Sequence, residues 1–209
     1  MKSNFDEIIG FNRVQLKELE KTNELLGYFT QNRYICIDFE TANLYKRWSV
    51  CAIGMAIIED GKVANTFYTL INPGIKDFSQ RNMEINHITP EDVKGKPNFE
   101  VVWGAIDTII DGDPIIAHNT SFEKSCINAC GERFGTNTEY EYVDTLRIAK
   151  LMNKGMENYK LDTLCEHYNV PLEFYHCAKD DAEACANLFL KLKEEFLNDG
   201  KGNKQPING

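Results

Sequence analysis

The sequence predicts an α/β domain built on one mixed β-sheet flanked by helices, behind an N-terminal helical extension. Three observations carry that prediction. An apolar run, Tyr34-Ile35-Cys36-Ile37, leads into Asp38-Phe39-Glu40; an Asp-Gly turn joins two further strand-like segments; and from Asn72 onward helical patterns alternate with short apolar strands. At 209 residues and 43% hydrophobic content the chain can bury one full core. A single domain over residues 33–197 is expected, with 1–32 as the extension and 198–209, rich in Gly, Asn and Lys, as a flexible tail.

The elements follow in order. Ile8, Ile9, Phe11, Val14, Leu16, Leu19, Leu25, Leu26 and Phe29 recur with loosely helical spacing between charged residues, which predicts one or two helices over 5–30 that pack on the domain or on a partner. The strand at 34–39 is followed by Val50–Ile58 and Val63–Ile71, joined by Glu59-Asp60-Gly61-Lys62. Asn72-Pro73-Gly74 closes that unit. Thr89-Pro90-Glu91-Asp92 predicts a capped helix start with proline in first position. Asn98 predicts the cap of a helix through Ile110 that stops at Asp111-Gly112. Ile115-Ile116-Ala117 reads as a buried strand, Ser121–Phe134 as a helix ended by Gly135, and Tyr142-Val143 as a short strand. Helices near 145–152, 161–168 and 180–196 complete the set, with Asp144, Asp162 and Asp180 as caps.

Composition excludes several classes. No run of about 18 apolar residues is present, and the N-terminus, with Asp6, Glu18 and Glu20, lacks the basic-then-apolar order of a signal peptide. A soluble, unexported, cytoplasmic protein with no membrane partner is expected. Seven cysteines, an odd count without C-x-x-C, read as reduced packing residues. The formal charge of −9 argues against a general nucleic-acid coating protein, yet leaves room for an enzyme that grips a few nucleotides at a metal site.

Asp38 and Glu40 carry the chemistry. Strand side chains alternate, so these two acids share one face where a core strand meets solvent, while Ile37 and Phe39 take the other. Such a pair repels itself unless a cation lies between, and hard divalent cations with oxygen ligands suit it. Asn119-Thr120-Ser121-Phe122-Glu123 lies at a strand-to-helix transition, which places Glu123 in a first helical turn near the carboxyl edge of the sheet. His176-Cys177-Ala178-Lys179-Asp180-Asp181 enters the last helix, with a spacing that aims an imidazole and the Asp181 carboxylate at one point. His118 and Phe122 are read as structural, His167 as a helix-surface residue. Tyr45, Lys46, Arg47 and Trp48 are read as stacking and phosphate contacts or, equally, as packing or exposed loop.

Together these motifs resemble the DEDDh 3′–5′ exonucleases, the group containing the proofreading subunit of bacterial DNA polymerase III and ribonuclease T. The resemblance runs from about Arg33 to Leu192. The D-x-E motif matches Asp38 and Glu40, and H-x-x-x-x-D matches His176 and Asp181. Asn86-His87-Ile88-Thr89 is similar to the stretch that borders the terminal nucleotide, and Asp38-Phe39-Glu40-Thr41-Ala42-Asn43 resembles small stand-alone bacterial members. The second motif ends in Phe122-Glu123 where the family has Phe-Asp.

The resemblance implies a ribonuclease H-like fold and a two-metal mechanism. Two divalent cations, Mg²⁺ or Mn²⁺, are held by Asp38, Glu40, Glu123 and Asp181, and His176 takes the proton of the attacking water. It further implies substrate contacts from Thr41, His87, Ile88 and Asn119, and hydrolysis of single-stranded DNA or RNA 3′ ends to nucleoside 5′-monophosphates. The longer Glu123 side chain leaves reduced activity, altered metal preference or loss of activity as outcomes, with retained activity the favoured reading. The alternatives are a binding module without catalysis, and an accessory proofreading subunit whose N-terminal helices dock on a polymerase or mediate self-association.

Overall fold

The computed structural model describes residues 13–202, with side chains from 17 to 198, in two compact units, Met1–Gln31 and Asn32–Gly209. The first holds helix α1 (Arg13–Tyr28), in which the Thr22 hydroxyl donates to the Glu18 carbonyl and Tyr28 to Glu24. The part of the expected helical segment before residue 13 lies outside the described residues.

The second unit is a five-stranded mixed sheet in the order β3-β2-β1-β4-β5. Strands β1 (Arg33–Thr41), β2 (Val50–Glu59) and β3 (Lys62–Leu70) form an antiparallel meander, and β4 (Ile115–Ala117) and β5 (Tyr142–Asp144) add in parallel beside β1. Asp60 and Gly61, at φ 51° and 75°, turn the β2–β3 hairpin, as Asp-Gly allows. The helices are α2 (Gln80–Asn86), α3 (Phe99–Ile110), α4 (Ser121–Phe134), α5 (Thr145–Met152), α6 (Leu161–Tyr168) and α7 (Ala178–Gly202).

Alternation along β1 divides the core and positions the site. Ile35, Ile37 and Phe39 join Phe99, Trp103, Ile106 and Cys126 of α3 and α4 on one face. Tyr34 meets Phe189 of α7 on the other, ring centroids 4.8 Å apart, and Asp38 and Glu40 continue that same face toward the start of α7. The register of β1 against β2 slips between Glu40 and Thr41. A bulge of this kind re-aims side chains at a strand end.

Several boundaries differ from expectation. Thr89-Pro90-Glu91-Asp92 starts no helix: both the N–H and the hydroxyl of Thr89 donate to the Asp92 carboxylate, but successive three-residue turns follow, and the helix precedes this segment at Gln80–Asn86. A capping pair satisfies a first turn locally and cannot by itself propagate a helix that lacks an apolar face. The last helix begins at Ala178, so Asp180 lies in its first turn and does not cap it. That helix runs to Gly202, which makes the first residues of the expected 198–209 tail helical, and 203–209 lie outside the described residues. Lys160, not Asp162, precedes α6, where Asp162 bonds only its neighbour Thr163. Asn98 and Asp144 cap as expected, accepting from Val101 N–H and from Leu146 and Arg147 N–H.

Candidate active site

Asp38 and Glu40 from β1 and Asp181 from α7 meet at the end of the sheet, with a carboxylate oxygen of each within 4.8 Å of the others. Two sequence features bring α7 in so close. Gly54 pairs with Asp38 across the β1–β2 ladder and has no side chain to hold off the carbonyl of Ala178. His176 sits at φ 67°, turning the chain sharply into α7, and its backbone N–H donates to Oδ2 of Asp181 at 2.9 Å.

Glu123 enters from the first turn of α4 and is only 2% exposed. It lies outside the tight trio, yet it is the largest of the charges that push up the Asp38 pKa. The turn that carries it is pinned by Asp144, which accepts from the N–H of Asn119 at 3.0 Å and the hydroxyl of Thr120 at 3.3 Å while also capping α5. One oxygen each of Glu123 (Oε2) and Asp181 (Oδ1) is buried without a hydrogen-bond partner. Buried anionic oxygens left unpaired are costly, so the cluster is built for something positive.

Electrostatics agree with that geometry. Burial, followed by Glu123, Glu40 and Asp181, holds the Asp38 carboxyl well above the usual range. Burial raises Glu40 to about 8 against a partly offsetting bond from Asn86, and raises Glu123 to about 8 despite the nearby Arg47 charge. Asp181 rises to about 7, again chiefly through burial. Four acids that cannot all ionise alone can do so around divalent cations, and oxygen-only ligands suit Mg²⁺ or Mn²⁺.

The other predicted residues divide. The ring of His176 is exposed and stacks on Tyr175, centroids 4.0 Å apart. Both line a cavity of about 330 Å³ that also takes in Glu40, His87, Ile88 and Tyr68. Thr41 turns inward: it is buried, and its carbonyl and hydroxyl oxygens accept from Asn82 at 2.7 and 3.1 Å. Its side chain therefore braces the strand end and is not presented to the cavity. Asn119 faces a neighbouring cavity of about 450 Å³ with His118, Tyr159 and Tyr175. His118 is structural as expected, bonded to Thr145 Oγ1 and the Tyr159 carbonyl, each at 2.9 Å.

The braces Asn82 and Asn86, the aromatic support of Tyr175 and the close approach at Gly54 were not legible in the chain. Only the Asn86-His87 pair carried any signal, as part of the nucleotide-bordering stretch.

A mixed sheet with carboxylates converging from β1, α4 and α7 defines the architecture of a ribonuclease H-like nuclease. The family model for RNase T-type exonucleases matches residues 35–189, and the chain belongs to this family. Among curated proteins it is similar to the PolC-type DNA polymerase III of Caldanaerobacter subterraneus subsp. tengcongensis, 31% identical over 85% of this chain and 13% of that protein. The PolC-type polymerase of Thermotoga petrophila is 30% identical over 90% of the chain and 14% of its own length. The chain thus spans a small part of these relatives. Among solved structures, the nuclease domain of 3′hExo, a DEDDh family member bound to rAMP, aligns with a TM-score of 0.69 at 15% identity, covering 87% of this chain and 98% of that one. Exonuclease X in complex with 5′ overhanging duplex DNA aligns at 0.60 and 20% identity, over 80% and 93%. These two share the fold. No described helix is long and apolar enough to cross a membrane.

Proposed function

We propose that this chain is a metal-dependent 3′–5′ exonuclease that hydrolyses single-stranded DNA or RNA ends to nucleoside 5′-monophosphates. The observation that carries this reading is the convergence of Asp38, Glu40 and Asp181 within 4.8 Å, backed by the unpartnered oxygen of buried Glu123. These four would hold the cations, which supply charge neutralisation at the scissile phosphate and acidify water.

The chain's own residues do the rest. The exposed His176 ring, held against Tyr175, accepts the proton of the attacking water. The water oxygen bonds to phosphorus as the bond to the 3′ oxygen of the preceding nucleotide breaks, and that oxygen takes up a proton from solvent water. His87 and Ile88 border the terminal nucleotide in the cavity beside Glu40. Thr41 and Asn119 contribute by fixing the strand end and the α4 turn. In this reading residues 33–197 form the exonuclease domain, 1–32 an extension and the last residues a tail, in a cytoplasmic protein.

The test is digestion of 5′-labelled DNA and RNA oligonucleotides, with Mg²⁺ and Mn²⁺ compared. Ladders shortened from the 3′ end with release of mononucleotides are expected; intact substrate under both metals overturns the reading in favour of a binding module. Similarity to PolC-type polymerases favours a second role, proofreading in association with a polymerase. Co-purification of a polymerase that depends on residues 1–32 tests it.

A further inference from the structure

Two arginines with no carboxylate partner among the described residues line the seam between the β1–β2 loop and α4. The Arg47 guanidinium lies 4.6 Å from the centroid of the Phe122 ring, and that of Arg133 lies 3.8 Å from Trp48. Phe122, Cys126, Cys130 and Arg133 fall on one face of α4 at 100° per residue, and the Cys130 thiol donates to the Trp48 carbonyl at 3.6 Å, closing the seam. Lys124, over Tyr142, faces elsewhere on the helix and is not part of it.

What marks this seam is that both arginines lie over aromatic rings and take part in none of the ion pairs among the described residues. The chain has 32 acids against 23 basic residues, and Arg33 pairs with Glu59 and Asp113, Lys46 with Asp77. Among the described residues no carboxylate lies within ion-pair distance of Arg47 or Arg133, and both are exposed. Each guanidinium lies over a ring that is itself packed against the core, so a fixed surface supports it. Arg47 lies near enough to Glu123 to lower that carboxyl's pKa, and Arg133 stands at the far end of α4. Eleven residues at 1.5 Å put the backbone of Phe122 and that of Arg133 about 16 Å apart along the axis of α4, on the scale of a few nucleotides. Tyr45, 92% exposed, offers a ring in the same loop.

We propose that this seam is a backbone track: Arg47 and Arg133 bind phosphodiesters of the nucleic-acid strand upstream of the 3′ end held at the acidic cluster. Planar guanidinium forks match phosphate oxygens in pairs, and stacking on fixed rings removes much of the entropy cost of presenting them. The location of the 3′ end rests on the exonuclease reading; the track itself does not.

The experiment is fluorescence anisotropy with 5′-labelled DNA and RNA 3-mers and 12-mers in chelator over a range of salt, where no turnover occurs. Native protein binds 12-mers more tightly than 3-mers. The double variant R47A/R133A, with an unchanged melting temperature, should lose about tenfold or more on 12-mers and little on 3-mers. Its log–log salt slope should be shallower by about 1.4, two phosphates at about 0.7 each for a single strand. R47K/R133K should keep the slope and recover only part of the affinity. Equal 12-mer affinity in native and R47A/R133A proteins, or equal losses on both lengths, overturns the track. Arginine-dependent binding by a protein that releases no mononucleotide would instead sink the exonuclease reading and leave the track standing.

Discussion

Gly54 lies so close to the carbonyl of Ala178 that a β-carbon at position 54 would overlap the first turn of α7. Because Gly54 is the cross-strand partner of Asp38, this contact sets how near Asp181 and His176 come to the D-x-E strand. The neighbouring atoms are backbone and cannot rotate away, so Gly54→Ala must shift the start of α7. We expect a stability loss of about 1–3 kcal/mol in urea denaturation, typical of overpacking, and a turnover loss out of proportion to it. Native turnover in this variant would show that the site tolerates displacement of α7.

Glu123 tests whether the longer acid is a handicap or an adaptation. Its carboxylate is buried, with Oε2 unpartnered, at the position where the motif resemblance expects an aspartate. If the extra methylene displaces a ligand, Glu123→Asp raises the Mg²⁺-supported rate and Glu123→Ala depresses it, while Mn²⁺ rescues the native protein more than the Asp variant. Initial rates of the three proteins on one 5′-labelled strand decide this. A slower Asp variant in Mg²⁺ means that the rest of the site has adapted to glutamate.

His176→Ala separates proton transfer from metal binding. The ring touches Tyr175 and none of the clustered acids holds it, so its loss should cost about 10²–10⁴-fold in turnover while cation affinity measured by calorimetry stays close to native. The backbone N–H that Asp181 accepts survives the substitution. A large fall in metal affinity would make the imidazole a ligand and the proposed proton acceptor wrong.

The raised carboxyls fix the sign of the pH dependence. In chelator, Glu40 and Glu123 titrate near 8 and Asp181 near 7 in the folded chain, against ordinary values of 4.5, 4.5 and 3.8. The folded state therefore keeps protons that the unfolded chain has released, so stability is greatest below about pH 4, as far as these groups contribute, and declines as pH rises toward 8. The melting temperature without metal should fall across this window, and Mg²⁺ or Mn²⁺ should raise it most at the alkaline end. Asp38→Ala should flatten the slope and abolish hydrolysis. A metal-free melting temperature that rises from pH 5 to 8 would contradict this account of the cluster.

Much of the architecture was legible because local patterns and the fold agree. Asp60-Gly61 specified the hairpin, Asn98 and Gly135 bounded their helices, and the alternation in β1 put Asp38 and Glu40 on one face before any neighbour was known. Motif spacing likewise selected Glu123, His176 and Asp181. Spacing along a chain records which residues recur together, not the distances between elements. Only tertiary structure decided that Asp181 joins the β1 acids within 4.8 Å while Glu123 lies outside that group, because those separations depend on how closely α7 and α4 approach the sheet. It also turned Thr41 inward onto Asn82, moved the helix expected at Thr89 to Gln80–Asn86, and made Asp144 hold the α4 turn as well as cap α5. Each of these is a choice among partners that a polar side chain can satisfy equally well in isolation, and long-range packing makes the choice.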